Sequence, residues 1–201
     1  MTTPSTLRLA SSDDAAALAS IYAPIVRDTA ISFEISEVSP DDMAQRVATT
    51  LRHYPWLVAE DDGRVLAYAY ATQHRSRAAY DWSADVSVYV AQRARRRGFA
   101  RALYRALLDM LAAQRYANAF AGIALPNDAS VGLHESLGCT YVGVYRAVGW
   151  KPGAWHDVGW WQLRLTTDEA PPRPLIPLPD LPQSAVTNAL QAGAATLAAI
   201  R

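Results

Sequence analysis

The stretch DVSVYVAQRARRRGFA, residues 85–100, decides how the chain is organised. Its first six residues, Asp85 to Val90, are mostly β-branched or aromatic and predict a strand. A strongly basic loop carrying Arg93, Arg95, Arg96 and Arg97 follows, then Gly98 and the opening turn of a helix. Phe99, Leu103, Leu107 and Leu111 share one stripe of that helix, while Arg101, Arg105 and Asp109 fall on another face. A strand that feeds a glycine-containing loop and a helix N-terminus makes an anion site. Unpaired backbone N–H groups and the helix dipole converge there, and a glycine lets a ligand approach the backbone closely. No Gly-Lys-Ser/Thr follows Gly98, so the loop is not a P-loop, and it is not Gly-x-Gly-x-x-Gly either. An arginine run also suits a solvated face or a nucleic-acid patch. The formal net charge of zero gives no general pull on a polyanion, however, and the run sits at the mouth of a folded core.

Length and composition fit a single enzyme-sized domain with an appendage: 201 residues, 51% of them hydrophobic. No apolar run reaches the ~20 residues needed to span a bilayer, so no membrane partner is expected. The opening MTTPSTLRLASSDDAA lacks the basic start and apolar core of a signal peptide. A lone cysteine, Cys139, excludes an internal disulfide framework and a cysteine-cluster metal site and fits a reducing cytoplasm. It reads as a small buried residue. His53, His74, His134 and His156 show no metal-ligand spacing, so no metal is expected.

Along the chain the order is mixed α/β. Leu7 to Ala10 reads as a strand, and Ser12 or Asp13 caps a helix carrying Leu18, Ile21, Tyr22 and Ile25. Ser39-Pro40-Asp41-Asp42 starts a second helix with a cap, a proline at the first position and acids in the first turn. Trp56 to Glu60 and Arg64 to Ala71 flank Asp62-Gly63, a hairpin signal. Beyond the helix ending near Arg115, Ala119 to Ala124 is a strand, Asn127 caps a helix, and Gly138 stops it. Tyr141 to Val148 and His156 to Leu165 are two closing strands joined across Lys151-Pro152-Gly153. Residues 166–182 are proline-rich and predict an extended strap. Residues 183–200 then read as a helix with Val186, Leu190, Ala194 and Leu197 in a stripe. The alternatives are a disordered tail or one that packs on this subunit or a neighbour, and the apolar Leu175, Ile176, Leu178 and Leu181 favour packing.

Arg95-Arg96-Arg97-Gly98-Phe99-Ala100 matches Arg/Gln-x-x-Gly-x-Gly/Ala and resembles the pyrophosphate loop of the GNAT acetyl-CoA-dependent N-acetyltransferases. Further segments resemble the phosphinothricin N-acetyltransferase branch of that superfamily. They are Tyr54-Pro55-Trp56-Leu57-Val58-Ala59-Glu60, Ala79-Tyr80-Asp81-Trp82, Ser87-Val88-Tyr89-Val90, Leu125-Pro126-Asn127-Asp128, His134-Glu135-Ser136-Leu137-Gly138 and Trp155-His156-Asp157-Val158-Gly159. They stand in order and at consistent spacing over about residues 5–166, which sets an acetyltransferase domain at 1–166 and an appendage of strap and helix at 167–201. The resemblance implies an α/β (α+β) fold in which helices flank a mixed, twisted sheet whose middle strands splay apart. It also implies acetyl-CoA as cosubstrate, a homodimer, and a small amino-acid analogue as acceptor.

The resemblance further implies roles for single residues. Asp85 takes the base position, where glutamate is usual; one methylene shorter, it acts through a bridging water, or Asp81 shares the task. His134 takes the position of the leaving-group acid, where many relatives carry tyrosine, although a departing thiolate needs no relay. The backbone of Val88, Tyr89 and Val90 serves the pantetheine amides and the developing oxyanion, Arg95 to Ala100 the pyrophosphate, and Asn127 both the arm and its own helix. Phe33, Tyr80 and Trp82, with Trp150 and Trp155, line an acceptor pocket or belong to the core. Arg75 and Arg77 pair with a carboxylate, phosphinate or sulfone oxygen, or are solvated. The alternatives keep the acetyl donor and change the acceptor to a polyamine, an aminoglycoside or a protein N-terminus, or make the chain a non-catalytic acyl-CoA sensor.

Overall fold

The computed structural model describes residues 5–167 and 171–199. Seven strands form one sheet in the order β1-β2-β3-β4-β5-β7-β6, with β1 Thr6–Leu9, β2 Trp56–Asp61, β3 Arg64–Gln73, β4 Ser83–Val90, β5 Asn118–Leu125, β6 Thr140–Trp150 and β7 Trp155–Arg164. Five helices flank it: α1 Ala15–Asp28, α2 Pro40–Thr50, α3 Phe99–Ala113, α4 Asp128–Ser136 and α5 Gln183–Ala198. All neighbouring strands are antiparallel except β4 and β5, which run parallel because α3 crosses between them. That parallel pairing covers only Ser83–Asp85 against Asn118–Phe120. Past Asp85 the two strands part, which is the splay that the resemblance implies.

Local chemistry accounts for most element ends. The β2–β3 turn puts Asp62 and Gly63 at φ 50° and 69°, as a two-residue hairpin turn with both central residues left-handed requires. Ser39 Oγ accepts from Asp42 N and caps α2. After α4, Gly138 N donates to Glu135 O and Cys139 N to His134 O, the double bond of a glycine-terminated helix, with Gly138 at φ 91°. The first helix differs from expectation at its start. Ser11 caps a 3-10 turn over Ser12–Asp14 that precedes α1, and Asp14 rather than Ser12 or Asp13 stands at the N-cap of α1 itself.

Strand alternation sends Leu57, Ala59, Ala67 and Ala69 to one face, where α3 presents the expected stripe of Phe99, Leu103, Leu107 and Leu111, all buried. Trp56, Val58 and Tyr68 pack on the opposite face with Leu18, Ile21, Ile25, Met43 and Val47 of α1 and α2. The chain after β7 is part of the first core. Ile176 exchanges backbone and side-chain hydrogen bonds with the buried Gln114, and Arg115 Nη1 donates to Pro174 O at 2.9 Å. Val186, Ala189, Gly193 and Leu197 of α5 are buried in the same cluster as α3, so the buried stripe is rotated slightly from the expected one. Leu178 and Leu181 are buried and Leu175 and Ile176 half-buried in the first core, so of the two packing partners that the sequence left open these four take this subunit. Within the expected strap, residues 168–170 lie outside the described ones.

Candidate active site

The parting of β4 and β5 leaves a narrow slot between Val86–Tyr89 and Ala121–Ala124, closed on one side by Tyr104, Asn127, Ser130 and His134. On the slot side, the backbone of β4 beyond Asp85 has no strand partner. At its outer end stands the Arg95–Ala100 loop. Gly98 has φ 84°, a conformation that favours glycine, and it starts α3 with no side-chain cap, unlike α2 and α4, which Ser39 and Asn127 cap. First-turn N–H groups left open beside arginines fit a pyrophosphate. The arginines are not equivalent. Arg97 donates to Asp61 at 2.6 Å and lies over the Phe99 ring at 5.1 Å, whereas no described residue pairs with Arg95 or Arg96. Asn127 Oδ1 accepts from Ser130 N at 3.2 Å, so any hydrogen bond from Asn127 to a ligand falls to its amide N–H groups.

His134 is buried, which excludes a solvated helix residue. Its Nδ1 lies 2.7 Å from Ser130 O, an acceptor only, so Nδ1 carries the proton and Nε2 accepts from Tyr104 O–H at 3.0 Å. Burial pushes the imidazole below its ordinary pKa, and burial likewise holds the Tyr104 phenol well above its own. A neutral imidazole and a protonated phenol therefore line one end of the slot together. Tyr104 was legible in sequence only as a residue of an amphipathic helix.

Beside the slot lies a hollow of about 360 Å³, lined by Ile31, Phe33, Tyr89, Tyr145, Val148 and Trp160 among others. The two spaces share Ile31, Tyr89, Gly122 and Ala124. The loop between α1 and α2 forms one wall and is pinned from both sides. Tyr22 O–H and Ser32 Oγ are 2.6 Å apart, and Lys151 Nζ donates to Ser32 O at 2.7 Å. The Phe33 ring lies where a Cβ on Gly149 would stand, so glycine there makes room for it.

Asp85 is half-buried on β4 and accepts from His74 Nδ1 at 2.6 Å. Burial raises the carboxyl above its ordinary pKa, and the bond to His74 and the charges of His74 and Arg75 oppose that rise. The short side chain of Asp85 meets His74 directly. His74 is the residue that the sequence did not single out, since it has no metal-ligand spacing and lies outside the segments that carry the resemblance. Its ring stacks on Phe120 at 4.4 Å and meets Tyr80 and Trp160 edge-on at 6.1 and 5.9 Å. Arg75 lies 5.5 Å over Trp160 and donates to Tyr145 O–H at 3.3 Å, at the rim of the hollow. Phe33, Arg75 and Tyr80 thus gather around one region, and Arg77 is exposed at the start of the 3-10 turn Ala78–Tyr80. Trp82 does not join them. Its indole N–H donates to Arg173 O at 2.9 Å, and the ring lines a separate hollow beneath the strap. Trp150 and Trp155 pack on each other at 5.4 Å and are exposed, neither pocket nor core.

Residues 7–160 match the model of an acetyltransferase (GNAT) domain. The chain is 41% identical over 175 residues to a phosphinothricin N-acetyltransferase of Streptomyces viridochromogenes, covering 87% of this chain and 95% of that one. It is 35% identical to an L-methionine sulfoximine/L-methionine sulfone acetyltransferase of Salmonella typhimurium, over 83% of this chain and 98% of the relative. Among solved structures, a GNAT superfamily phosphinothricin acetyltransferase from Sinorhizobium meliloti in complex with acetyl-CoA superposes with a TM-score of 0.81. Its identity is 32%, over 89% of this chain and 97% of that one.

Proposed function

This chain belongs to the GNAT acetyltransferases, in their phosphinothricin N-acetyltransferase branch, and from that premise we propose that it acetylates the free amine of a small amino-acid analogue. Acceptors of the phosphinothricin, methionine sulfoximine or methionine sulfone type fit best. The observation that carries this reading is the continuity of slot and hollow through Ile31, Tyr89, Gly122 and Ala124. A thioester brought down the slot meets an amine held in an aromatic hollow with a guanidinium at its rim.

Bound acetyl-CoA supplies an activated thioester carbonyl and a thiolate leaving group. The chain's own groups hold, orient and move protons. Arg95, Arg96 and the open N–H groups of α3 hold the pyrophosphate, while Arg97, tied to Asp61, fixes the loop. The unpaired backbone of β4 at Val88 to Val90 takes the pantetheine amides as an added strand would, and an N–H near Val90 faces the developing oxyanion. Arg75 and Phe33 orient the acceptor, Arg75 through an anionic or sulfone oxygen. An amino acid's amine is mostly ammonium near pH 7, so a proton has to leave before attack. Asp85 is the carboxylate that compensates the charge released. Tyr104 and His134 form the donor pair that returns a proton to the leaving sulfur.

The working unit in this reading is a homodimer, supported by the apolar edge strand β6, and the half-buried lone Cys139 suits a reducing compartment. No helix among the described residues is long and apolar enough to cross a membrane. The test is release of free coenzyme A thiol from acetyl-CoA with a panel of amines. Turnover is expected with phosphinothricin or methionine sulfone and little with spermidine or an aminoglycoside. The reverse order would overturn the acceptor assignment, and tight coenzyme A binding without any turnover would overturn the enzyme.

A further inference from the structure

Neither the slot nor the hollow is lined by His74, and neither is lined by Asp85. What stands against it is His74, with a side chain 11% exposed. The imidazole is fixed on three sides, face-on by Phe120 and edge-on by Tyr80 and Trp160, and Trp160 is itself a wall of the hollow. The backbone carbonyl of His74 also accepts from Arg75 Nη1 at 2.8 Å, which ties the rim guanidinium to the same residue. A carboxylate at Nδ1 selects the tautomer with the proton on Nδ1 and the lone pair on Nε2. No described residue bonds Nε2. A rigid imidazole with a carboxylate behind it and an open nitrogen in front is the arrangement of a general base.

Resting on the functional reading above, we propose that His74 Nε2 takes the proton of the acceptor's ammonium, with Asp85 as the positioning residue that holds the ring and offsets the imidazolium charge. The N–H bond of the ammonium breaks as the Nε2–H bond forms. The freed lone pair forms the new C–N bond at the thioester carbonyl. As the adduct collapses the C–S bond breaks, and the nitrogen's second proton passes to solvent. The departing sulfur takes the proton delivered by the Tyr104–His134 pair, which solvent replaces, and the imidazolium gives its proton to solvent. The short aspartate is then matched to its place, because the imidazole supplies the missing reach.

The test compares wild type, His74→Gln, His74→Phe, Asp85→Asn and the double variant His74→Gln/Asp85→Asn, with acetyl-CoA and an acceptor that the wild type turns over. Both His74 variants should lose ~10²-fold in kcat with little change in the dissociation constant of acetyl-CoA, which also reports intact folding. His74→Phe keeps an aromatic ring against Phe120, so its loss separates proton transfer from packing. The double variant should fall within about threefold of the worse single one, since the two residues act as a unit. Nitrogen-15 spectra of histidine-labelled, cofactor-free protein should give His74 as the Nδ1–H tautomer, identified by the signal that His74→Gln removes. Full activity in His74→Phe, deficits that multiply to ~10⁴ in the double variant, or an Nε2–H tautomer would each overturn the proposal. Failure of the functional reading looks different: the wild type itself would turn over no amine.

Discussion

At the scale of single residues, the site divides into what sequence pattern announces and what only three-dimensional packing assembles. Gly98 stood out because a glycine between a basic loop and an amphipathic helix has few other uses, and its φ of 84° is a backbone conformation that favours glycine. Gly98→Val should therefore weaken acetyl-CoA binding more than Arg93→Ala does. A β-branched residue is strained at that angle and its methyls crowd the anion, whereas one lost arginine is offset by its neighbours. Calorimetric titration measures both, and unchanged affinity in Gly98→Val would remove the anion site from this loop. His74 was not legible, because its partner Asp85 is 11 residues away and the two meet only through the β3–β4 register that sets Thr72 opposite Asp85. Trp82 was misread for a related reason: the chain that takes its indole N–H lies 91 residues further on. For Asp85→Asn, turnover should drop by ~10²-fold or more near pH 7, with most of the acetyl-CoA affinity kept. As pH rises the free amine becomes abundant and base assistance matters less, so the deficit should shrink. Turnover of variant and wild type from pH 6 to 10 checks this. A deficit constant across that range would detach Asp85, and the His74 ring it holds, from the loss of the ammonium proton.

Elements were read more completely than residues, because periodicity and caps are local signals while contacts between elements are not. The strand–loop–helix unit, the Asp62-Gly63 hairpin and the Ser39, Asn127 and Gly138 helix boundaries all follow from side chains within a few positions of the feature. The seat of the last helix was not local information. Its interface with α3 depends on Gly193, where an added Cβ would lie 2.6 Å from Ala102 O. Gly193→Val should force the two helices apart and cost about 1–3 kcal/mol, a fall of roughly 2–12 °C in Tm for a chain of this size. Thermal unfolding followed by circular dichroism measures it, and an unchanged Tm would mean that α5 is not held where it is seen. The opposite end of the sheet has a charged tie. Arg8 on β1 bonds Asp14 at 2.7 Å and also Glu60 on β2, which joins two strands to the start of α1. The bond from Arg8 holds the Asp14 carboxyl below its ordinary pKa, ahead of burial, which works the other way. The folded chain thus binds the Asp14 proton more weakly than the unfolded chain. The stabilisation is full above the ordinary carboxylate value near ~3.9 and is lost as pH falls through the lower folded value. Asp14→Asn should cost roughly 1–2 kcal/mol near neutral pH, toward the low end because the Arg8 side chain is 39% exposed. Urea unfolding at pH 7 and pH 3 checks it: the gap between the two proteins should narrow at the lower pH, and a gap as wide as at pH 7 would assign the loss to packing.

For the whole molecule, the chain leaves an uneven surface. Most of its large apolar side chains lie in the two cores on either side of the sheet, yet Tyr141, Val142, Tyr145, Val148 and Trp150 of β6 and Trp155 of β7 are exposed, Trp155 to 61%. β6 is the last strand of the sheet, eleven residues long, with one side of its backbone unpaired. A long, apolar, exposed edge strand is an adhesive that soluble proteins usually cover. The same strand carries Tyr145 into the acceptor hollow, and Trp150 adjoins Gly149, over which Phe33 packs. A second copy seated on β6 would therefore cover the apolar strip and brace the far wall of the hollow together. The tail supplies none of this surface, since its leucines are spent on the chain's own core. Light scattering at low micromolar concentration should give twice the 21.9 kDa chain mass. Val142→Lys/Val148→Lys places two charges on the strip, and that variant should give the mass of one chain while its far-ultraviolet circular dichroism stays the same. Its KM for the amine should rise more than its KM for acetyl-CoA, because the hollow borders β6 and the slot lies at β4 and β5. A wild type that stays monomeric at every concentration, or a charged variant that stays dimeric, would move the interface away from β6 and leave the exposed strip to another use.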